Sequence, residues 1–422
     1  MKKLILGFIA LTTLSFSFAQ NSVDFIPNDN DSRVITTGLP FMLVAPDSRS
    51  AGMGDIGVAT SVDGFSQQWN PAKYVFSESK SGIGLSFTPY LTRLVNDISL
   101  SYATYYNRLN ENSAVSASLK YFSLGEIVLT QDANDPGIAV KPNEYAVDVA
   151  YTLRLSDQFA MAVGLRYLRS ALRIGALPNS NAKPASTFGA DITGYYQSEE
   201  EAYNDFNGRW RAGFAIQNLG PKFKYDDGGE DSFQPTNLRL GAGFDFIFDQ
   251  YSTLGLTAEV SKYLVPTPPI RGTRVEYVDN NGNGMYDEPN ANDPQPDDDE
   301  LIDTQENVII EGQDNDVGFI TGVFQSFGDA PGGFSEELRE FTWALGAEYL
   351  YQDSFALRAG YFNEADDKGA RKFFALGAGF KYTTINIDLS YLFSASRIQS
   401  PLENTLRFSL TFNFGDGEYS EY

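Results

Sequence analysis

LRFSLTFNF, residues 406–414, is the stretch that decides the fold. Leu406, Phe408, Leu410, Phe412 and Phe414 alternate strictly with Arg407, Ser409, Thr411 and Asn413. A period of two puts one set of side chains on each face of an extended strand, so one face is oily and the other wet. Upstream, residues 385–393 (INIDLSYLF) and 145–153 (YAVDVAYTL) repeat the pattern. In residues 374–382 (FALGAGFKY) and 238–246 (LRLGAGFDF) the second face is built from glycine and alanine with an occasional charge. A charge every few residues is tolerable only if that face meets water or paired partners while the other meets lipid.

Fourteen such segments are expected, near 81–92, 95–107, 113–124, 143–155, 158–170, 185–196, 210–218, 235–248, 251–263, 340–351, 354–363, 372–382, 385–395 and 404–414. Each suits a tilted membrane strand of about 9–11 residues with extensions, and the even number suits a single-chain barrel. The connections alternate in length. Those at 108–112, 156–157, 249–250, 352–353 and 383–384 are short, those after the third, fifth, seventh and ninth segments are long, and 197–209 fits poorly. Barrels of this kind keep short turns on the periplasmic side and long loops outside, which places both termini in the periplasm. A soluble sandwich would also alternate, but it has no use for aromatics at both ends of nearly every strand, which read as interfacial girdles. The fold class expected is therefore all-β: a transmembrane antiparallel β-barrel in the outer membrane, in contact with its lipid.

Composition narrows the function. The 422 residues include no Cys and no His, which removes thiolate nucleophiles, imidazole bases, disulfides and the usual zinc ligands. A formal net charge of −24 is incompatible with a basic nucleic-acid footprint. Serine with lysine or aspartate could still be imagined as a catalytic pair, but no motif supports one, so an enzyme is not expected. Lys2 and Lys3, the apolar run from Leu4 to Leu14 and the small residues before Ala19 form a secretory signal peptide. The organisation expected is a signal peptide at 1–19, an N-terminal extension and plug at 20–80, the barrel at 81–414 and a periplasmic tail at 415–422. Residues 264–339 form a long acidic extracellular loop within the barrel.

Residues 20–80 alternate poorly and contain APDSRSAGMGDIG (45–57), then Asp63 and Asn70-Pro71-Ala72. Such a segment ahead of the first strand can fold back to fill a lumen too wide for side chains alone. The run from Ser48 to Ala59, with Asp63 and the NPA triplet, resembles the N-terminal signature of the FadL-like barrels, which have fourteen strands and a plug. The longer stretch PDSRSAGMGDIGVATSVDGFSQQWNPAKY, with its GLPFMLVAPD lead-in, is similar to the PorV (LptO) family of the Bacteroidetes type IX secretion system. The plug motif of that resemblance falls on Arg49, Gly52, Met53, Gly54, Asp63, Asn70 and Pro71. The resemblance implies an outer-membrane protein that works with the large translocon barrel. Such a protein collects secreted substrates by their C-terminal signal domains and passes them to the attachment complex containing the PorU-type sortase. The shorter signature leaves a second reading open, a FadL-like channel for hydrophobic small molecules. Against it, the strand phases predict a lumen lined by Asp148, Arg154, Arg239, Asp245, Lys381, Asp388 and Arg407.

The acidic loop has its own motif. No Lys or Arg occurs from Val275 to Leu338, and Asp279 to Asp287 read DNNGNGMYD. Asp279, Asn281, Asn283, the Met285 carbonyl and Asp287 occupy the first positions of an EF-hand-type loop, with Gly284 at the sharp turn. Position 12 is Asn290, so the shell is incomplete and an acid among Glu288 and Asp293–Glu300 would have to close it. Calcium is the expected cofactor, if there is one; the alternative is a solvated acidic loop.

Overall fold

The structure is a computed structural model that describes residues 21–28, 32–91, 97–130, 136–172, 184–225, 229–280, 282–288, 299–396, 403 and 405–416. The expected signal peptide, Asn281, Asn290 and the end of the tail lie outside the described residues.

Fourteen long antiparallel strands close into a barrel. In chain order they are β1 (Ser79–Pro89), β2 (Ile98–Arg108), β3 (Ser113–Leu124), β4 (Asn143–Ser156), β5 (Phe159–Ala171), β6 (Ala185–Gln197) and β7 (Asn207–Leu219). They continue as β8 (Asn237–Ile247), β9 (Ser252–Tyr263), β10 (Thr342–Tyr351), β11 (Phe355–Asn363), β12 (Lys372–Tyr382), β13 (Ile385–Ser394) and β14 (Leu406–Asp416). Each pairs with the next, and β14 returns to β1 with Phe408 opposite Phe87 and Leu410 opposite Leu85. The closing seam therefore runs through residues 408–416, most of the strictly alternating stretch LRFSLTFNF. Closure leaves no unpaired edge, the condition for a sheet to exist in hydrocarbon.

The phase is as expected. Leu85, Val149, Leu165, Leu240, Leu256, Leu345, Leu357, Leu376 and Phe408 point outward and are exposed, forming the apolar belt of a membrane barrel. No helix among the described residues is long and apolar enough to cross a membrane. At one end the turns are tight. Gln352 and Asp353 both take positive φ (54° and 48°) inside a turn closed by Ser354 N–H to the Tyr351 carbonyl, the mirror-image turn that suits strand twist. The connection at 198–206 is longer because Glu201–Ala202 adds a short pairing to β7, which itself starts at Asn207, earlier than the sequence suggested. The long connections gather at the opposite end.

Between β6 and β7 the register slips after Ile216. Asn218 there takes φ +58° and its N–H donates to Asp191 Oδ1 at 2.8 Å, so a bulge is held by a side chain of the neighbouring strand.

The stretch expected as one extension, 20–80, is divided. Asn21–Pro27 forms no part of the plug: it pairs with Ile270–Val278, which pairs in turn with Glu300–Glu311 in a separate three-stranded sheet. Of the acidic segment, residues 269–313 carry the latter two strands and belong with the N-terminal strand to a second compact unit, whereas 264–268 and 314–339 belong with the barrel. The reason is visible in VDFIP and RVEYV, short period-two runs that find each other as partners.

Candidate functional site

The candidate site is the interior of the barrel, occupied by residues 33–78. This segment contains the short helices Ser48–Gly52 and Ser66–Trp69 and the tight turns Pro40–Leu43 and Pro71–Phe76. Almost every residue from Leu39 to Ser77 is buried. So compact a path with little regular structure must satisfy its polar groups through side chains and the barrel wall.

Asp47 opens the first helix. Its Oδ1 accepts from Ser50 N–H at 2.8 Å and its Oδ2 from Trp69 Nε1 at 2.8 Å, which ties the two helices together. Asn70 caps the second turn: its Oδ1 accepts from Ala72 N–H, while Nδ2 donates to the carbonyls of Val58 (3.0 Å) and Gly194 (2.9 Å). Pro71 follows at the first position, where its missing N–H costs nothing, and its carbonyl accepts from Thr152 Oγ1.

Arg49 is the centre of the lock. Nε and Nη2 donate to the two oxygens of Glu348 at 2.9 and 2.7 Å, Nη1 donates to Asp63 Oδ2 at 3.0 Å, and Ser61 accepts from both terminal nitrogens. Glu348 is also gripped by Arg358 Nε at 2.7 Å, and Arg358 Nη1 reaches Asp388 at 2.6 Å. A bidentate guanidinium–carboxylate pair fixes orientation as well as charge. On the other wall, Glu259 Oε2 accepts from the N–H groups of Gly57 and Val58 and its Oε1 from Arg239. Lys120 donates to the carbonyls of Met42 and Val44, Arg211 to that of Ala59, and Arg407 to Asp55.

The glycine-rich inner face now has a cause. A Cβ at Gly360 would stand 2.0 Å from the Met53 carbonyl carbon, one at Gly213 would stand 2.3 Å from the Val58 oxygen, and Gly52 lies against Gly377. The plug backbone fits because the wall opposite it has no side chains there. Gly54 takes φ +85° against the Tyr361 backbone, a conformation open to glycine at little cost.

Every plug-motif residue expected from the sequence lies in this interior: Arg49, Asp63, Asn70 and Pro71 by hydrogen bonding, and Gly52, Met53 and Gly54 by close packing. Of the expected lumen residues, Asp148 accepts from Gln67, Arg239 pairs with Glu259, Asp245 with Arg211 and Asp388 with Arg358. Arg154 sits at the short-turn end over the Phe76 ring. Sequence reasoning missed Glu348, Arg358, Glu259 and Lys73. The available signal was a lone charge on the small-residue phase, as in TWALGAEYLY and FALRAGYFN.

Two further features complete the interior. Toward the long loops, Leu39, Phe41 and Met42 meet Leu100, Phe122, Leu168 and Phe223 in an apolar layer. Toward the short turns the lumen opens as a polar cavity of about 1130 Å³, with Arg49, Asp63, Glu348, Arg358, Lys381 and Asp388 among its walls.

In the acidic unit, Asp279 accepts from the N–H groups of Gly282 (2.6 Å) and Gly284 (2.9 Å), and Asn283 Nδ2 donates to Asp287 (2.8 Å). Met285 is exposed, and its N–H donates to Asn283 Oδ1. No group of three or more acids poised for a metal occurs among the described residues.

Residues 27–270 match the family described as Type IX secretion system protein PorV. No curated protein matches the chain. Among solved structures, the chain is similar to the Pseudomonas putida toluene transporter TodX, with 10% identity, TM-score 0.45, and 92% of this chain and 100% of that one covered. It is similar also to a Pseudomonas aeruginosa FadL homologue, with 12% identity, TM-score 0.44, and 91% of this chain and 100% of that one covered.

Proposed function

Since the chain belongs to the PorV family of type IX secretion system proteins, we propose that it binds secreted substrate proteins at the large translocon barrel and shuttles them to the surface attachment complex. In this reading the substrates are recognised by their C-terminal signal domains and received by the PorU-type sortase assembly. The long-loop end faces outward and both termini face the periplasm. The protein performs no chemistry of its own; a serine-reactive probe should leave it unlabelled.

The observation that carries this reading is the locked plug. A plug of residues 33–78 set across the lumen, with Arg49, Glu348 and Arg358 bonded to one another, leaves the outer surfaces and long loops to do the work. Recognition by loops on a rigid scaffold is the usual division of labour in such folds. Deleting the gene should abolish secretion and surface attachment of type IX substrates, with the translocon barrel still present in the membrane. Unchanged secretion would overturn the reading.

One observation favours a second reading, a FadL-like conduit for hydrophobic small molecules: the apolar layer of Phe41, Met42, Leu100, Phe122, Leu168 and Phe223. Fatty acid or detergent retained at that layer after purification would support it. In its absence, recognition of proteins remains the better account.

A further inference from the structure

At the long-loop end, the connection between β9 and β10 returns through two short helices, Phe319–Gln325 and Phe334–Arg339. Their outer face is apolar: Ile320, Phe327 and Leu338 are exposed, and Phe324 and Phe334 are 75% and 77% exposed. Their inner face is a buried charge cluster. Lys262, at the end of β9, donates to Glu337 at 3.1 Å and Glu340 at 2.5 Å. Lys368, from the β11–β12 connection, reaches Glu336 at 2.6 Å and Glu340 at 3.0 Å, and Arg33 reaches Glu336 at 2.7 Å.

Asp329 lies between the two helices, 1% exposed, and stands apart from these pairs. Its Oδ2 accepts from Thr267 N–H at 2.9 Å, and its buried Oδ1 finds no hydrogen-bond partner among the described residues. Among the described residues, Lys262, Lys368 and Arg33 are engaged by Glu336, Glu337 and Glu340, which also accept from Gly332 N–H, Ala330 N–H and Thr267 Oγ1, while Asp329 makes no ion pair. A buried carboxylate left over in this way is costly when ionised and comfortable when protonated.

We propose that this cluster is a proton-operated clasp: residues 319–340, with their exposed phenylalanines, are held down when Asp329 carries a proton and loosen when it is ionised. Burial pushes the Asp329 carboxyl up to about 6, the Thr267 hydrogen bonds oppose this, and Glu337 and Glu340 add to it. The sign follows. A group raised in the closed form stabilises that form at low pH, and the stabilisation is lost as pH rises through the closed-form value. Deprotonation sends the proton to solvent and needs no co-reactant. The outward effect is a graded exposure of the segment bearing Phe324 and Phe334.

The test is hydrogen exchange on the full chain in detergent, corrected for intrinsic rates, at pH 5 and pH 8. Protection across 319–340 should be about tenfold greater at pH 5, with the 220–236 connection unchanged. In Asp329→Asn the difference should vanish and the segment should stay protected at pH 8. Equal protection of the wild type at both pH values overturns the clasp, as does an unchanged tenfold difference in Asp329→Asn. Should that variant fail to form a barrel, the wild-type profile alone decides.

Discussion

The plug and the acidic three-stranded unit are both rich in polar side chains, yet they use them in opposite ways. Within the plug, Asp47, Asn70 and Lys73 are fully buried and Arg49 nearly so, each hydrogen-bonded, Lys73 to the Gly57 carbonyl and Thr60 Oγ1. In the acidic unit, Glu300–Glu311 shows eight consecutive exposed residues, and its carboxylates face solvent. Charge count therefore says little about structural weight. Removing one member of a buried pair strands its partner without water, whereas removing a solvated charge returns almost nothing.

The sharpest way to break this comparison is Arg49→Ala. It leaves Glu348 and Asp63 buried with reduced compensation and should destabilise the plugged barrel by about 3–5 kcal/mol. Thermal unfolding followed by heat-modifiable gel mobility reads the change. The matched control, Glu306→Ala on the exposed strand, should stay within about 0.5 kcal/mol of wild type. Similar losses in the two variants would refute the distinction between buried and solvated charge.

Glu336→Gln tests a charge outside the membrane. Burial raises the Glu336 carboxyl, but hydrogen bonds from Lys368 and Arg33 outweigh it and hold it at about 2. Its contribution is therefore present above the ordinary glutamate range and lost as pH falls through about 2. The substitution should cost about 1.5–3 kcal/mol of local closing free energy, seen as faster exchange at 334–340 at pH 6. A flat response would mean that Arg33 and Lys368 find other partners.

Gly360→Val asks whether the plug is held by shape as well as charge. The added side chain would meet Met53 and Gly54 directly, so overpacking should cost about 1–3 kcal/mol. Because the natural chain has no cysteine, a single Ser50→Cys reporter is unambiguous. Its maleimide labelling should rise when Gly360→Val is added.

Much of this was legible in the sequence, and the boundary is physical. The strands declared themselves because one face must meet lipid, so period two survives even where the inner face is only Gly and Ala, as in FALGAGFKY. The plug residues Arg49 and Asn70 were legible by resemblance, but their partners were not. Glu348 lies 299 positions from Arg49, and no local pattern links an inward charge to a helix so far upstream. The pairing of Asn21–Pro27 with Ile270–Val278 was hidden for the same reason: two short strands carry no mark of their partner.

The smallest expected effect concerns calcium at Asp279, Asn283 and Asp287, which remains a proposal. Both Asp279 oxygens already accept glycine N–H groups, and Asn283 and Asp287 bond to each other. Asp299 is spoken for as well, by the N–H groups of Asn280 and Asp287. A cation would have to displace the Asn283–Asp287 bond, and position 12 of the loop offers no glutamate, so the site should be weak, with Kd on the order of 10⁻⁴–10⁻³ M. Isothermal titration of the detergent-solubilised chain should give heat in that range, and Asp279→Ala combined with Asp287→Ala should remove it while barrel unfolding stays unchanged. Heat that survives the double substitution would move calcium elsewhere in the acidic unit. No heat at millimolar calcium would leave the loop as a self-bonded, solvated turn, in full contrast to the locked plug.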